Sequence, residues 1–289
     1  MAPDIRFPHL GIEIATLGKG ITIGGFTIKY YGMLMALGMV MGYLLAAIQA
    51  KRTRQDPDLY LDLALWDIVF AVVGARTYYV IFSWDYYGQH PGQIFNLRGG
   101  GLAIYGGIIG GVITTIVFAR LKKQNVFRLL DVACVGLVTG QIIGRWGNFC
   151  NREAFGSYTD SLFAMQIKQS DVTQTNLTHD IMRHVIEFDG VKYIQVHPTF
   201  LYESLWNLVV LILLLLFTKR QKYDGQIFLL YLLGYGLGRV WIEGLRADQL
   251  LLFGTGIAVS QVLSGALVIV SAGFLVWKAL SGKEIPGKG

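Results

Sequence analysis

"LWNLVVLILLLLF", residues 205–217, holds a single amide side chain, Asn207, in an otherwise apolar and aromatic run. A soluble strand or core helix rarely looks like this, and spanning a bilayer takes about 20 such residues in a row. Other runs of comparable character recur along the chain, which reads as an integral membrane protein.

The composition agrees. Of 289 residues, 53% are hydrophobic and 15% charged, with a mean hydropathy of +0.48; soluble domains carry about 25% charged residues. The net charge of +6 is concentrated in short links, "KRTR" (51–54), "RLKKQNVFR" (120–128) and "KRQK" (219–222), and in Lys278, Lys283 and Lys288. Under the positive-inside rule these links are cytoplasmic. The basic balance therefore reports topology and contact with anionic lipid, and no basic stripe interleaved with stacking aromatics points to nucleic acid.

Apolar runs between the basic links predict an all-α polytopic membrane protein. About seven transmembrane helices are expected, near 26–50, 59–82, 100–120, 128–147, 198–218, 225–244 and 257–279. With a cytoplasmic C-terminus, seven crossings place the N-terminus outside. The chain is then a single integral membrane domain, 1–289, with a small polar extracytoplasmic head, 148–197, inserted between the fourth and fifth helices. Within the head, "HVIEFDGVKYIQV" has two β-rich runs around Asp189-Gly190, a hairpin signal. The first 20 residues lack the layout of a cleaved signal peptide and read as a partly amphipathic segment before the first span. No internal repeat supports an inverted-repeat transporter.

Cys134 and Cys150 are 16 positions apart on one expected helix, about 24 Å, beyond disulfide reach. No metal-ligand spacing occurs, and no cofactor is implied. Glycines spaced four apart (Gly38/Gly42, Gly106/Gly110, Gly107/Gly111, Gly136/Gly140/Gly144, Gly234/Gly238) predict close helix packing. "RGGGLAIYGG" (98–107) is not a phosphate loop, having neither GxxxxGK[ST] nor a preceding strand.

Ionisable residues inside spans are costly and mark candidate function. Arg76 and Arg145 each lie about 17 residues, or about 25 Å, up their helices from the cytoplasmic end, and Arg239 about 14 residues. Tyr31 and Tyr105 lie about five residues down from the outside, and His197 and Glu203 open the fifth helix. All fall in the outer half, as one cavity opening outward would require. Tyr235, Arg239 and Glu243 share a helix face, with Arg246 a turn beyond; Arg239 and Glu243 are either a neutralised pair or part of a site. Arg145 has no acid at i−4 or i−3, so its partner comes from another helix or a ligand. Paired arginines facing phospholipid suit a phosphate, which guanidinium binds bidentately. His197 is either a general base or a hydrogen bonder at a helix start.

"GRWGNFCNREAFG" (144–156) resembles the signature G-R-x-G-N-F-x-N-x-E-x-x-G of the phosphatidylglycerol–prolipoprotein diacylglyceryl transferases. "YYGMLMALG" (30–38), "GARTYYV" (74–80), "GGLAIYGGIIGG" (100–111), "HPTFLYE" (197–203) and "GYGLGRVWIEGLRADQ" (234–249) follow the family's landmarks in order. The resemblance covers nearly the whole chain. It implies a multi-pass enzyme of the bacterial cytoplasmic (inner) membrane that acts at the outer leaflet. Its substrates would be phosphatidylglycerol and prolipoprotein signal peptides bearing a lipobox cysteine. The diacylglyceryl group passes to the thiol, a thioether forms and glycerol phosphate leaves.

By that analogy Arg145 and Arg239 are the essential arginines, with Tyr105 beside them as a catalytic candidate. Asn148, Asn151, Glu153, Gly156, Tyr31, Arg76, His197, Glu203, Tyr235, Glu243 and Arg246 are candidate substrate-binding positions, and the Arg and Asn residues of the signature hold the headgroup. One departure stands out: Tyr105 occupies the place of a histidine proposed in the family as thiol base. Tyrosine, with an ordinary pKa of about 10, is a poor base at neutral pH. Either Tyr105 orients substrate, or thiolate formation relies on the neighbouring arginines. The competing reading is an anion or phospholipid transporter using the arginines as a pathway; the mostly apolar inner halves of the spans oppose it.

Overall fold

Sixteen regular elements order the described residues, which in this computed structural model are 2–97, 100–252 and 255–281. Four short strands come first: β1 (Ile5–Phe7), β2 (Ile12–Ile14), β3 (Gly20–Ile23) and β4 (Phe26–Lys29). The helices α1 (Tyr30–Arg52), α2 (Pro57–Phe82), α3 (Trp84–Tyr87), α4 (Ile104–Leu121) and α5 (Val126–Asn151) follow. Next come β5 (Met165–Lys168), α6 (His179–Arg183), β6 (Ile186–Phe188) and β7 (Val191–Val196), then α7 (Thr199–Phe217), α8 (Gln226–Leu245) and α9 (Val259–Leu280). Arg98, Gly99, Lys283 and Lys288 lie outside the described residues.

Two expected boundaries shift for physical reasons. The first helix begins at Tyr30, not near 26, because residues 20–29 alternate in period two about a Gly24-Gly25 turn and pair as β3–β4. The fourth long helix continues past 147 to Asn151, which puts Asn148 and Asn151 on its last turn.

Six helices are long and apolar enough to cross a membrane: α1, α4, α5, α7, α8 and α9. The expected seventh, α2, is outside that set. It is 26 residues long but carries Asp58, Asp62, Asp67 and Arg76. Its start is built for a helix, with Pro57 in the first turn and the Asp56 carboxylate accepting from the Asp58 amide at 3.0 Å. The chain is a multi-pass membrane protein.

Two compact units divide the chain, 1–42 with 134–289, and 43–133. In the second, α2 packs on α4 through glycines: a Cβ on Gly110 would lie 2.6 Å from the Phe70 carbonyl oxygen. Tyr60, Leu63, Phe118, Leu129 and Val132 form the core of this unit. In the first unit, Gly42 of α1 meets Gly136 of α5 as the spacing predicted, with a Cβ on Gly42 falling 2.6 Å from the Gly136 oxygen.

The first unit also carries a five-stranded antiparallel sheet, β2-β1-β5-β7-β6. The anticipated hairpin is β6–β7, with Asp189 at φ 50° and Gly190 at φ 72°, the positive pair that a two-residue turn matching strand twist requires. Its other side departs from the sequence reading. The first residues, read as an amphipathic lead-in, supply β1 and β2, and β1 pairs with β5. Ile5, Phe7, Ile167, Ile181, Ile194 and Val196 fill the core between this sheet and the chain around it.

Candidate active site

A three-way stitch of backbone brings the functional side chains together. Past the end of α5, the Gly156 amide donates to the His197 carbonyl (2.9 Å) and the Ser157 amide to the Leu245 carbonyl (2.7 Å). The His197 amide donates back to Ser157 (3.0 Å), and the Ala247 amide to Phe155 (3.2 Å). The Thr199 hydroxyl donates to the Ala154 carbonyl. The C-terminal ends of α5 and α8 are thereby fixed to the N-terminal end of α7. A Cβ on Gly156 would sit 2.6 Å from the His197 Cβ and 2.8 Å from the Leu245 oxygen. The signature glycine is thus a point of backbone approach.

Arg145 on α5, Glu203 on α7 and Arg239 on α8 converge below this stitch. The Glu203 carboxylate bridges the two arginines: Arg145 Nη2 lies 2.5 Å from Oε2, and Arg239 Nη1 lies 3.1 Å from Oε1. The partner Arg145 lacks on its own helix therefore comes from α7. Arg239 Nη2 meets Glu243 Oε2 at 2.7 Å, the pair its four-residue spacing predicted. Arg246 Nη1 approaches the same oxygen at 3.8 Å and donates through Nε and Nη2 to Asp248 at 2.9 and 2.8 Å. Guanidinium and carboxylate alternate along the whole set. Glu203 and Glu243 are each 4% exposed, so neither charge is left to water. Burial alone would lower the Arg246 pKa, but the hydrogen bond and charge of Asp248 raise it.

Around this set, Glu203, Tyr235 and Arg239 line a cavity of about 10 Å³ between α7 and α8, room for one water. Tyr235 stacks on Tyr231 with centroids 5.8 Å apart. The Trp146 indole donates to Ser204 (3.2 Å), tying α5 to α7 beside Glu203.

On the last turn of α5, the Asn148 and Asn151 amides both donate to Glu153 Oε1, at 2.9 and 3.3 Å. The carboxylate orders both side chains. The Tyr31 ring lies against Gly147, where a Cβ would be 2.8 Å from Cδ2. His197 bonds to the Tyr202 hydroxyl at 3.3 Å, and burial pushes its pKa down, favouring neutral imidazole.

One signature residue stands apart from the arginine pair. Arg152, read with the signature as a headgroup holder, turns to the sheet. At φ 54° it ends α5 in the left-handed region. Its Nη2 meets Asp4 at 3.0 Å and donates to the Leu17 carbonyl at 2.5 Å, while Nε lies 3.1 Å from Asp171. Arg76 and Tyr105 belong to the second unit. Arg76 is 7% exposed and, among the described residues, donates to backbone alone: Nε to Ile94, Nη1 to Gly100 and Gly101, Nη2 to Gln93 and Asn96, at 2.6–3.1 Å. Its guanidinium also lies 5.0 Å from the Tyr87 ring. Such bonding is that of an anchor for Gln93, Ile94, Asn96, Gly100 and Gly101. Tyr105, on the first turn of α4, is partly buried.

Sequence reasoning passed over Asp248, Arg152 with Asp4 and Asp171, and the Trp146–Ser204 link. Only Asp248 had a local signal, two residues beyond Arg246.

Residues 19–277 match the family described as prolipoprotein diacylglyceryl transferase. Three curated relatives carry the name phosphatidylglycerol–prolipoprotein diacylglyceryl transferase. The protein from Clostridioides difficile strain 630 is 43% identical over 263 residues, covering 91% of this chain and 95% of its own. That from Listeria welshimeri is 40% identical, with coverage of 90% and 89%. That from Bacillus cereus strain Q1 is 40% identical, with coverage of 91% and 92%. A family match across most of the chain and relatives this similar end to end leave one assignment: the chain belongs to the prolipoprotein diacylglyceryl transferase family.

Proposed function

We propose that this chain transfers the diacylglyceryl group of phosphatidylglycerol to the lipobox cysteine of a prolipoprotein signal peptide. The observation that carries the reading is one carboxylate, Glu203, shared by arginines from two different helices. A phosphodiester offers the same two-oxygen geometry to the same guanidiniums. Among the described residues Arg145 makes no hydrogen bond or ion pair besides that to Glu203, so it has N–H groups to give a headgroup.

In the reaction the cysteine sulfur attacks the glyceryl carbon bonded to the phosphate oxygen. A C–S bond forms and the C–O bond breaks, and glycerol phosphate leaves, with the thiol proton passing to that phosphate monoester or to water. Arg145 and Arg239 stabilise charge gathering on the leaving phosphate, an interaction that grows toward the transition state. Positive charge beside the thiol also favours its anion. Asn148 and Asn151, aligned by Glu153, serve as further headgroup donors. Tyr31, Tyr235, His197 and Arg246 border the binding region, and Gly156, Glu203 and Glu243 hold its shape.

The enzyme would reside in the bacterial cytoplasmic membrane with its N-terminus and sheet outside. Pairing of β1 with β5 supports an even number of crossings between them. Four helices of sufficient length lie there, α1, α2, α4 and α5, which favours α2 as a span despite its acids. Three more, α7, α8 and α9, carry the chain to a cytoplasmic C-terminus. Both substrates are membrane-bound, and a site at the outer ends of α5 and α8 reaches both without extracting either.

The test supplies phosphatidylglycerol labelled in its acyl chains and a peptide bearing a lipobox cysteine. Label on the cysteine is expected, and its absence with folded protein overturns the reading. In the same assay Tyr105→Phe is expected to cost less than about tenfold, because losing a general base costs about 10²–10⁴-fold. A loss in that larger range would make the hydroxyl a proton carrier.

A further inference from the structure

The ribbon β3–β4 pairs Ile21 with Ile28 and Thr22 with Thr27, and no other strand joins it among the described residues. Side chains alternate faces along a strand, so Ile21, Ile23 and Ile28 share one face. The other carries Thr22, Thr27 and Lys29, with the two threonine hydroxyls 2.9 Å apart. Gly24 at φ 57° and Gly25 at φ 83° make the tight turn. All three isoleucines are exposed: Ile21 43%, Ile23 67% and Ile28 42%. A lone two-stranded ribbon is marginal in water at best, so this one calls for a surface to lie on.

The chain itself indicates which surface. Lys29, the last residue of β4, is followed directly by Tyr30, the first of α1. The Tyr30 amide donates to the Lys19 carbonyl at 3.0 Å, fastening the base of the ribbon to the start of the helix. Helix α1 in turn exposes Met33, Leu37 and Met41, one turn apart each. A helix that crosses a membrane starts at its interface, so the ribbon's base is held at the headgroup level. Lys19 and Lys29, both exposed, stand at that base, where anionic headgroups attract them.

We propose that β3–β4 is an interfacial anchor, lying along the outer surface of an anionic bilayer with Ile21, Ile23 and Ile28 in the acyl boundary. Its occupant is lipid, not a second copy or a soluble protein, because the ribbon runs without a linker into α1, a helix long and apolar enough to cross a membrane. Thr22 and Thr27 then face water.

Spin labels at Ile23→Cys and, separately, Thr22→Cys test this in nanodiscs of phosphatidylcholine and phosphatidylglycerol. The unsubstituted chain treated with the same label gives the blank for Cys134 and Cys150. Relaxation by oxygen, which partitions into lipid, is compared with relaxation by a water-soluble nickel chelate. The label at 23 is expected to be reached by oxygen and shielded from nickel, and the ratio is expected to reverse at 22. Nickel access at both positions overturns the proposal. So does spin–spin broadening at 23 that persists on dilution with lipid, which would put another copy on that face. Native circular dichroism and cysteine labelling activity of each variant exclude misfolding as the source of a negative result.

Discussion

Arg76 is buried and Arg145 and Arg239 are half-buried, all three on long helices, yet their partners meet them in opposite ways. Arg76 is met by five neutral carbonyls, those of Gln93, Ile94, Asn96, Gly100 and Gly101, and spends every direction in which it can donate. Arg145 and Arg239 share the Glu203 carboxylate, and Arg239 also meets that of Glu243. The first arrangement builds a loop. The second balances charge while leaving Arg145 donors unspent, and that is what a ligand needs. The chemistry of its partners is what separates one arginine's role from another's. Arg152 is a third kind, held by two acids and a carbonyl in service of the sheet.

This contrast can be broken most directly at the pair. Arg145→Ala or Arg239→Ala is expected to lower transfer by about 10³-fold or more, as loss of a transition-state donor worth about 4 kcal/mol would. Labelled-lipid transfer measures this, with membrane insertion verified for each variant. Turnover like wild type in either one would put the arginines outside the chemistry.

At Arg76 the effect should be on stability. Arg76→Ala strands five carbonyls and is expected to cost about 3 kcal/mol, read as a lower thermal midpoint and faster proteolysis between 89 and 101. Arg76→Lys should not restore it, since one ammonium cannot match a planar fork. A raised KM for lipid with an unchanged midpoint would instead make Arg76 a ligand residue.

Gly156→Ala probes the stitch on which the pair depends. With carbonyl and Cβ atoms already inside 3 Å of the new methyl, about 1–3 kcal/mol of destabilisation is expected. Gly111→Ala, where nothing lies within 4 Å, is the neutral control. Equal melting of the two would remove the stitch from the argument.

The smallest effect concerns the third arginine's partner. Burial alone would raise the Asp4 pKa, but the Lys168 hydrogen bond, the Leu17 amide and the charges of Lys168 and Arg152 hold it below the ordinary carboxylate range. A carboxyl lowered on folding contributes stability above its unfolded value of about 4, and that contribution fades as pH falls through the lowered value. Asp4→Asn should therefore weaken the sheet at neutral pH and flatten the acid side of its melting curve. An unchanged acid limb would refute the linkage.

What could be read without coordinates was whatever is local. The Asp189-Gly190 turn, the Arg239–Glu243 pair and the glycine faces of α1 and α5 depend on neighbours within a turn or on a fixed period. The Glu203 bridge was half legible: Arg145 visibly lacked a partner, but nothing in sequence says which helix supplies it. The β1–β5 pairing, the Arg152–Asp4 contact and the carbonyl cage of Arg76 were not legible. Backbone carbonyls carry no residue signature, and strands of three or four residues are too short for periodicity to separate from a lead-in.

The β1–β5 pairing also sets a timetable. Arg6 and its partner Gln166 are 160 residues apart, so at about 5–20 residues per second the ribosome needs roughly 8–30 s between them. During that interval the helices from α1 to α5 are made, while β1 has only its neighbour β2 to pair with. A strand made before every one of those helices completes its sheet after them.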